Sequence, residues 1–181
     1  MFKIVLTGPE SSGKTTLAEA LSVRVRVDFV PEFARAYLSN LARNYQSEDL
    51  LTIASGQMLW ILQAANNCPS LLIVDTDIQN IDLWQEIKYG AKSAQIDQFY
   101  SLWRPDLYVL CQPDMAWQPD SLREAPDTRD AIFDIYQRDM SDKNLRHIIV
   151  GGTIANRVEQ VLTALTVTGK ELPNFGAKQS K

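Results

Sequence analysis

The sequence has few residues that form disulfides or bind transition metals. Only two cysteines, Cys68 and Cys111, and one histidine, His147, occur among its 181 residues. The cysteines form neither a CxxC pair nor a spaced framework, which argues against a disulfide scaffold or a thiolate metal site. Because the histidine has no cysteine or acid at ligand spacing, we expect it to be structural. This cysteine usage is typical of a reduced, cytoplasmic protein.

Long apolar runs and an excess of positive charge are also missing. No stretch approaches the ~20 apolar residues needed to cross a bilayer, and no basic, apolar leader precedes the first strand-like segment. We therefore expect a cytoplasmic protein without a membrane partner. The net charge is −4, and no basic stripe marks a nucleic-acid surface. A small molecule is the expected partner.

Five short β-branched runs alternate with longer helical patterns. The runs are nearly continuous in apolar residues, as in parallel strands that helices cover on both faces. They lie at 2–7, 27–30, 71–75, 106–111 and 147–150, and helices are predicted at 14–24, 47–66, 78–88, 92–103, 128–140 and 154–165. This order predicts an α/β three-layer sandwich around a five-stranded parallel sheet.

Two segments lack apolar periodicity. Residues 112–127, QPDMAWQPDSLREAPD, hold three prolines and follow the fourth strand, so we expect an exposed excursion. We interpret residues 112–130 as a lid segment over the site. The tail 169–181 is polar and contains glycine and proline, so we expect it to be loosely ordered beside a single domain spanning 1–168.

The stretch GPESSGKT, from Gly8 to Thr15, matches the phosphate-binding pattern G-x-x-x-x-G-K-[ST] between a strand and a helix. In such a loop Gly8 and Gly13 let backbone N–H groups point at phosphate oxygens, and Lys14 reaches the outer phosphates. Thr15 offers its hydroxyl to Mg²⁺. No N/T-K-x-D segment that would read guanine is present, which favours ATP.

Acidic residues follow the predicted strands, where the ligands of parallel sheets bind. Asp75 ends an apolar strand, the usual position for the carboxylate that supports the loop's Mg²⁺. Glu32 is the first candidate for a base that accepts a hydroxyl proton, and Asp77 is the second. A helix N-cap or first-turn acid is the alternative interpretation of both. Asp114 is a further strand-end acid.

Arginines could act from the lid segment. Arg123 and Arg129 lie in or beside it, where guanidinium groups can stabilise charge on a transferred phosphoryl group; the alternative is that they are solvated charges. Arg35 could face the same cleft or pair with Glu32.

Several aromatic residues could form an acceptor surface. Trp84, Tyr89 and Trp117 could offer ring faces to a planar base or a pyridinium ring. The alternative is ordinary packing, which is what we expect of Trp60 and Trp103.

Several motifs in order resemble one known family, the NadR-type P-loop kinase domain of ribosylnicotinamide kinase-like proteins. The resemblance covers roughly residues 2–165. The motifs are GPESSGKTTLAEAL, VPEFARAYL, Gly56-Gln57, VDTDIQNIDLWQEIKYG, WQPDSLR followed by Arg129, and IIVGG followed by Arg157. Their set and order carry the resemblance, since the phosphate loop alone would indicate only a P-loop protein.

The resemblance implies Mg²⁺- and ATP-dependent phosphorylation of the 5′-hydroxyl of nicotinamide riboside, a step of NAD biosynthesis. By position, Glu32, Arg35 and Asp77 would face the ribose, with Trp84 and Tyr89 near the acceptor ring. Asp75 would serve the metal, Arg123 and Arg129 would act from the lid, and Gly151 would border adenine. The implied ATP cradle comprises Gly8, Glu10, Ser11, Ser12, Gly13, Lys14, Thr15 and Thr16.

Fuller members of this family carry an adenylyltransferase domain, and some carry a DNA-binding helix-turn-helix. This sequence shows neither pattern, and one histidine cannot supply the two-histidine nucleotidyltransferase signature. We therefore expect neither NAD synthesis from the mononucleotide nor repressor activity. Two alternatives remain open from the residues: a kinase for another nucleoside, and a P-loop ATPase or nucleotide-dependent switch without a small-molecule acceptor.

Overall fold

A parallel β-sheet lies at the centre of the computed structural model, which describes residues 1–67, 70–120, 123 and 127–167. Its strand order is β2-β3-β1-β4-β5. The strands are β1 (Phe2–Thr7), β2 (Phe29–Val30), β3 (Leu71–Asp75), β4 (Leu107–Cys111) and β5 (His147–Val150). All four pairings are parallel, which confirms the predicted five-stranded parallel sheet.

Seven helices connect and cover the strands of the described chain. They are α1 (Lys14–Val25), α2 (Phe33–Leu38), α3 (Ser47–Asn67), α4 (Ile78–Tyr89), α5 (Ala94–Leu102), α6 (Arg129–Asp142) and α7 (Ile154–Val167). Gly90 ends α4 with a left-handed φ of 70°, because glycine adopts this conformation without a steric penalty. The short helix α2 was not predicted from the sequence.

Two apolar clusters, one on each face of the sheet, form the core. Alternate residues of β1 separate between them: Val5 belongs to one cluster, and Ile4 and Leu6 belong to the other. Helices α3, α4, α5 and α6 contribute to the first cluster, and α1 and α7 contribute to the second. The predicted three-layer α/β sandwich is confirmed, because only helices on both faces can bury strands of this kind.

The position of each strand in the sheet sets how firmly its carboxyl end is held. Strand β1 pairs with β3 on one side and with β4 on the other. Strand β2 is reduced from the predicted 27–30 to Phe29–Val30 and pairs only with β3. The loop after β1 therefore starts from the middle of the sheet, whereas the segment after β2 starts from its edge.

Three sequence-based predictions concern residues outside the ranges that the structure describes. The tail 169–181 and Cys68 lie outside the described residues, and so does part of the lid segment, namely 121–122 and 124–126. Among the helices that the structure describes, none combines the length and apolar character needed to cross a membrane.

Candidate active site

The loop between β1 and α1 takes the shape that its glycines allow. Gly8 has φ 131°, and a Cβ there would lie 2.8 Å from the carbonyl oxygen of Cys111. Gly13 has φ 80°, and its Cβ would lie 2.5 Å from Sδ of Met115. Only glycine satisfies both the positive φ and the close approach at these positions. The predicted phosphate loop is thus present as a curled backbone at the start of α1.

Lys14 and Thr15 follow Gly13 and form the first two residues of α1. The Lys14 ammonium donates hydrogen bonds to the carbonyl oxygens of Gly8 at 3.0 Å and Pro9 at 2.8 Å. Thr15 Oγ1 donates to a carboxylate oxygen of Asp75 at 2.6 Å. This hydroxyl and carboxylate are the hard oxygen ligands that Mg²⁺ prefers. The residues therefore fit a magnesium-bound polyphosphate, with the positive end of α1 behind it.

Two observations add to this fit. The Ser12 hydroxyl lines the cleft, is buried and has no hydrogen-bond partner within the described part of the chain, so a polar ligand could satisfy it. Burial raises the pKa of the Asp75 carboxyl, while the Lys14 charge and the Thr15 hydrogen bond oppose this shift. A cation beside Asp75 would favour its ionised form.

Glu32 lies across the cleft from the loop. It occupies the N-cap position of α2, yet its side chain makes no capping hydrogen bond, so the helix-cap interpretation is not supported. The half-buried Glu32 lines one cleft with Lys14 and Thr15. Burial raises the pKa of its carboxyl, and the Lys14 charge partly offsets this rise. A carboxylate with a raised pKa beside a phosphate loop is suited to accept a proton.

Asp77 does not face the cleft, contrary to the prediction that it would face a ribose or act as a base. Its carboxylate is fully buried and accepts hydrogen bonds of 3.0 Å each from Trp103 Nε1, the Tyr108 hydroxyl and the backbone N–H of Gln79. It is the N-cap of α4, and burial raises its pKa to about 6. Thr76, with φ 69°, turns the chain after β3, between Asp75 and Asp77.

Beyond the phosphate loop, the cleft lining includes apolar and aromatic side chains. Trp84 lines the cleft as predicted. Tyr89 does not: it lies in a separate surface depression, where its hydroxyl donates to the Tyr45 carbonyl at 3.3 Å. The sequence analysis missed the other lining residues, Ala34, Leu38, Tyr45, Leu50, Ile53, Asn80 and Ile81. The signal available in the sequence was that Leu38 lies in the motif VPEFARAYL and that Asn80 and Ile81 lie in VDTDIQNIDLWQEIKYG.

The first part of the lid segment, residues 112–120, contacts the phosphate loop. The backbone N–H of Gln118 donates to the Ser11 hydroxyl at 2.9 Å. Arg129 donates to the carbonyl oxygens of Met115 at 2.9 Å and Ser11 at 3.3 Å. Arg123 lines the cleft. The structure thus brings both predicted arginines to the phosphate loop.

Two predicted side chains have other partners at the mouth of the cleft. Arg35 lines the cleft and pairs at 2.7 Å with Asp120, so the ion pair is not with Glu32. The Arg129 guanidinium lies over the Trp117 ring, 5.6 Å from the ring centre. Trp117 does not line the cleft. The Arg35–Asp120 pair therefore links α2 to the lid segment across the opening.

Arg157 holds the phosphate loop in place by a hydrogen bond to its backbone. The sequence analysis named Arg157 only as part of a motif and gave it no role. Its side chain is fully buried and donates to the carbonyl oxygens of Ser12 at 2.7 Å, Gly152 at 3.0 Å and Gln112 at 3.2 Å. It also pairs with Asp114, so this strand-end acid has a structural partner. Gly151 does not line the cleft; its N–H donates to Gln160 Oε1 at 3.2 Å.

Trp60 and Trp103, predicted to pack, do so. The Trp60 ring meets Phe33 edge to face at 4.8 Å, and Trp103 is buried. His147 heads β5, where its Nδ1 contacts the Leu145 carbonyl at 2.9 Å.

Known proteins share this architecture at low sequence identity. A NadR protein in complex with NR is 19% identical with a TM-score of 0.74; the alignment covers 97% of this chain and 54% of the other. Thymidylate kinase from Ehrlichia chaffeensis is 17% identical with a TM-score of 0.69, covering 91% and 98%. This chain therefore spans about half the length of the NadR protein. No curated protein matches the sequence.

One family model matches most of the sequence. It is the model AAA_28, described as an AAA domain, and it matches residues 3–157. The structural neighbours show a fold of the P-loop nucleoside and nucleotide kinase type. The chain belongs to the AAA_28 family of AAA domains, with the fold of the P-loop kinases.

Proposed function

We propose that this protein is an ATP- and Mg²⁺-dependent small-molecule kinase, with nicotinamide riboside as the preferred acceptor. The observation that carries the proposal is one cleft in which the phosphate loop, a raised-pKa carboxyl and an apolar-aromatic recess meet. A loop that only binds nucleotide needs no recess beyond it. Such a recess suits a second substrate beside the outermost phosphate.

The donor half of the cleft would hold the triphosphate. Backbone N–H groups from Gly8 to Thr16 would surround the phosphates, and Lys14 would exchange its carbonyl partners for phosphate oxygens. Thr15 and Asp75 would hold Mg²⁺, which neutralises charge on the phosphates. Arg123 and Arg129 would stabilise charge on the transferred group from the lid segment.

Glu32 would accept the proton of the attacking hydroxyl. The hydroxyl oxygen forms a bond to the γ-phosphorus, the bond from this phosphorus to the bridging oxygen breaks, and ADP leaves. A carboxylate near the γ-phosphate can take the released proton, and burial keeps its affinity for that proton above the ordinary value. Arg35 lies close enough for its positive charge to lower the pKa of the Glu32 carboxyl, against the effect of burial.

The acceptor half favours a nucleoside with a planar ring. Trp84 would offer an aromatic face, and Leu50, Ile53 and Ile81, which line the same cleft, would exclude water. A pyridinium ring carries a positive charge, which an indole face attracts by a cation–π contact. The sequence motifs resemble NadR-type kinases, and a NadR protein in complex with NR shares the fold. These features support nicotinamide riboside as the first acceptor to test.

Product analysis tests the proposal directly. Purified protein is incubated with Mg·ATP and a panel that includes nicotinamide riboside, the common nucleosides and thymidine monophosphate, and products are identified by mass spectrometry. The expected result is nicotinamide mononucleotide formed faster than any other product. If no acceptor raises ADP formation above the water background, the kinase proposal fails. A different preferred nucleoside would keep the kinase and replace the acceptor.

A P-loop ATPase or nucleotide-dependent switch is the rival from another functional class. It would use Lys14 and Thr15 but would not need Glu32 as a base. Substituting Glu32 would then leave nucleotide turnover intact, whereas substituting Lys14 would abolish it.

The net charge of −4 fits a small-molecule partner better than a nucleic acid. We propose the cytoplasm as the place of action.

A further inference from the structure

The two elements that carry Glu32 do little to fix it. Strand β2 before it has only two residues and pairs on one side. Helix α2 after it has six residues, none of them buried, and the Glu32 side chain does not cap it. A helix this short is marginal without tertiary support. The position of the Glu32 carboxylate must therefore be set by contacts from another element.

Gln57 on α3 supplies such contacts on both sides of Glu32. Its Oε1 accepts the backbone N–H of Phe33 at 2.7 Å, and its Nε2 donates to the carbonyl oxygen of Pro31 at 3.2 Å. The Phe33 N–H is one of the first-turn donors that a helix cannot satisfy internally. Gln57 is buried, so one amide group anchors the two residues that flank Glu32.

Gly56, the preceding residue of α3, allows a close approach to the same segment. A Cβ at Gly56 would lie 2.3 Å from the Phe33 ring, so the ring packs directly on the helix backbone. Trp60, one turn further along α3, packs against the same ring edge to face at 4.8 Å. The hydrogen bonds of Gln57 and the packing at Gly56 thus act on the same residue, Phe33.

We propose that Gln57, assisted by Gly56, is a positioning residue that sets where the Glu32 carboxylate stands in the cleft. The inference rests on the proposed function, in which Glu32 is the base. Gln57 does not line the cleft, so it acts through the backbone of Pro31 and Phe33. A displacement of about 1 Å in a reacting group can cost about 100-fold in rate, which makes this anchoring consequential.

The test replaces Gln57 by methionine, which keeps the length of the side chain and removes both polar atoms. For Gln57→Met the kcat of acceptor phosphorylation falls about 10- to 100-fold, while the KM for ATP stays within about twofold because the phosphate loop is untouched. The matched control is Gln63→Met, an exposed glutamine of the same helix, for which kcat stays within about twofold.

A second readout separates positioning from a purely structural role. The titration of the Glu32 carboxyl is followed by ¹³C NMR of labelled glutamate, with Glu32→Gln assigning the signal. In the wild type burial raises this pKa; in Gln57→Met it falls toward the ordinary value as water reaches the loosened segment. A merely structural glutamine would lower the melting temperature without moving the Glu32 titration.

Gly56→Ala tests the same claim by another route if Gln57→Met does not fold. Alanine favours the helical conformation, so α3 is retained, but its Cβ forces the Phe33 ring to move. We expect kcat to fall about fivefold and the Glu32 titration to shift. A folded variant with unchanged kcat and unchanged Glu32 titration overturns the proposal. If the wild type phosphorylates no acceptor, the proposed function fails, and the NMR titration still decides the role of Gln57.

Discussion

The two halves of the cleft are built in different ways. The donor half comes from one contiguous stretch, 8–16, whose backbone is shaped by Gly8 and Gly13 and held in the middle of the sheet. The acceptor half comes from side chains of α2, α3, α4 and the loop before α3. One half is therefore specified by a local motif, and the other only by the packing of distant elements. Substitutions should separate the two halves kinetically.

Lys14→Ala should have the largest effect, because it removes the lysine that we propose binds the outer phosphates and the one lysine that lines the cleft in the described part of the chain. We expect nucleotide turnover to fall about 1,000-fold or more and the heat of Mg·ATP binding in calorimetry to be lost. Arg24→Ala, an exposed cation on the same helix, serves as the control and should behave as wild type. Retained turnover in Lys14→Ala would mean that the donor half does not work as described.

Glu32→Gln should have the next largest effect and lies at the boundary between the halves. Removing the base should lower kcat about 100- to 1,000-fold and leave ATP binding unchanged. In the wild type the acid limb of the kcat profile should lie above pH 4.5, since burial raises the pKa of Glu32 from that value and a base must be deprotonated. Unchanged ADP release in this variant would favour the ATPase or switch.

Trp84→Ala should act on the acceptor half alone. Loss of the ring face should raise the acceptor KM about tenfold, corresponding to ~1.4 kcal/mol, while the KM for ATP stays constant. Initial-rate kinetics with each substrate varied in turn separate the two constants. The control is Leu102→Ala, at an exposed apolar residue that does not line the cleft. Equal changes in both KM values would contradict the division into halves.

Asp77→Asn should have the smallest effect on catalysis, because Asp77 lies outside both halves. Its readout is stability. The folded state holds the Asp77 proton more tightly, with a pKa of about 6 against an ordinary 3.8, so wild-type stability falls as pH rises through that window. Because asparagine does not ionise, the variant lacks this loss of stability. Its free energy of unfolding relative to wild type should therefore increase by up to about 3 kcal/mol from pH 4 to pH 7.

Urea titrations at several pH values measure this difference. Asp28→Asn, at an exposed position, is the control, and its difference from wild type should stay below about 0.5 kcal/mol at every pH. A relative stability of Asp77→Asn that decreases with pH would show that the buried carboxylate is stabilised by ionisation.

The sequence predicted what depends on local pattern. Apolar runs identified the five strands, and GPESSGKT identified the loop, because hydrophobic periodicity and glycine conformation act over a few residues. The pattern also predicted that Asp75 and Glu32 lie beyond strand ends. The helix α2 escaped prediction because six residues without a buried face carry no periodic signal.

The direction of side chains at the site depended on tertiary structure. Asp75 and Asp77 are two residues apart, yet the left-handed Thr76 between them sends them to different environments. Arg157 and Gln57 reach the site from other helices by hydrogen bonds to backbone carbonyl and N–H groups. Every residue has a backbone carbonyl and every residue except proline has a backbone N–H, so no sequence pattern marks the contact. These supports could be found only from the folded chain.

The buried Arg157 has a consequence for how the protein forms on the ribosome. The phosphate-binding motif is synthesised well before α7, but a carbonyl of that loop is held by a side chain of α7, 145 residues later. The nascent chain therefore carries the complete motif long before the motif has its support. Nucleotide binding should appear when α7 docks, and not when the motif emerges.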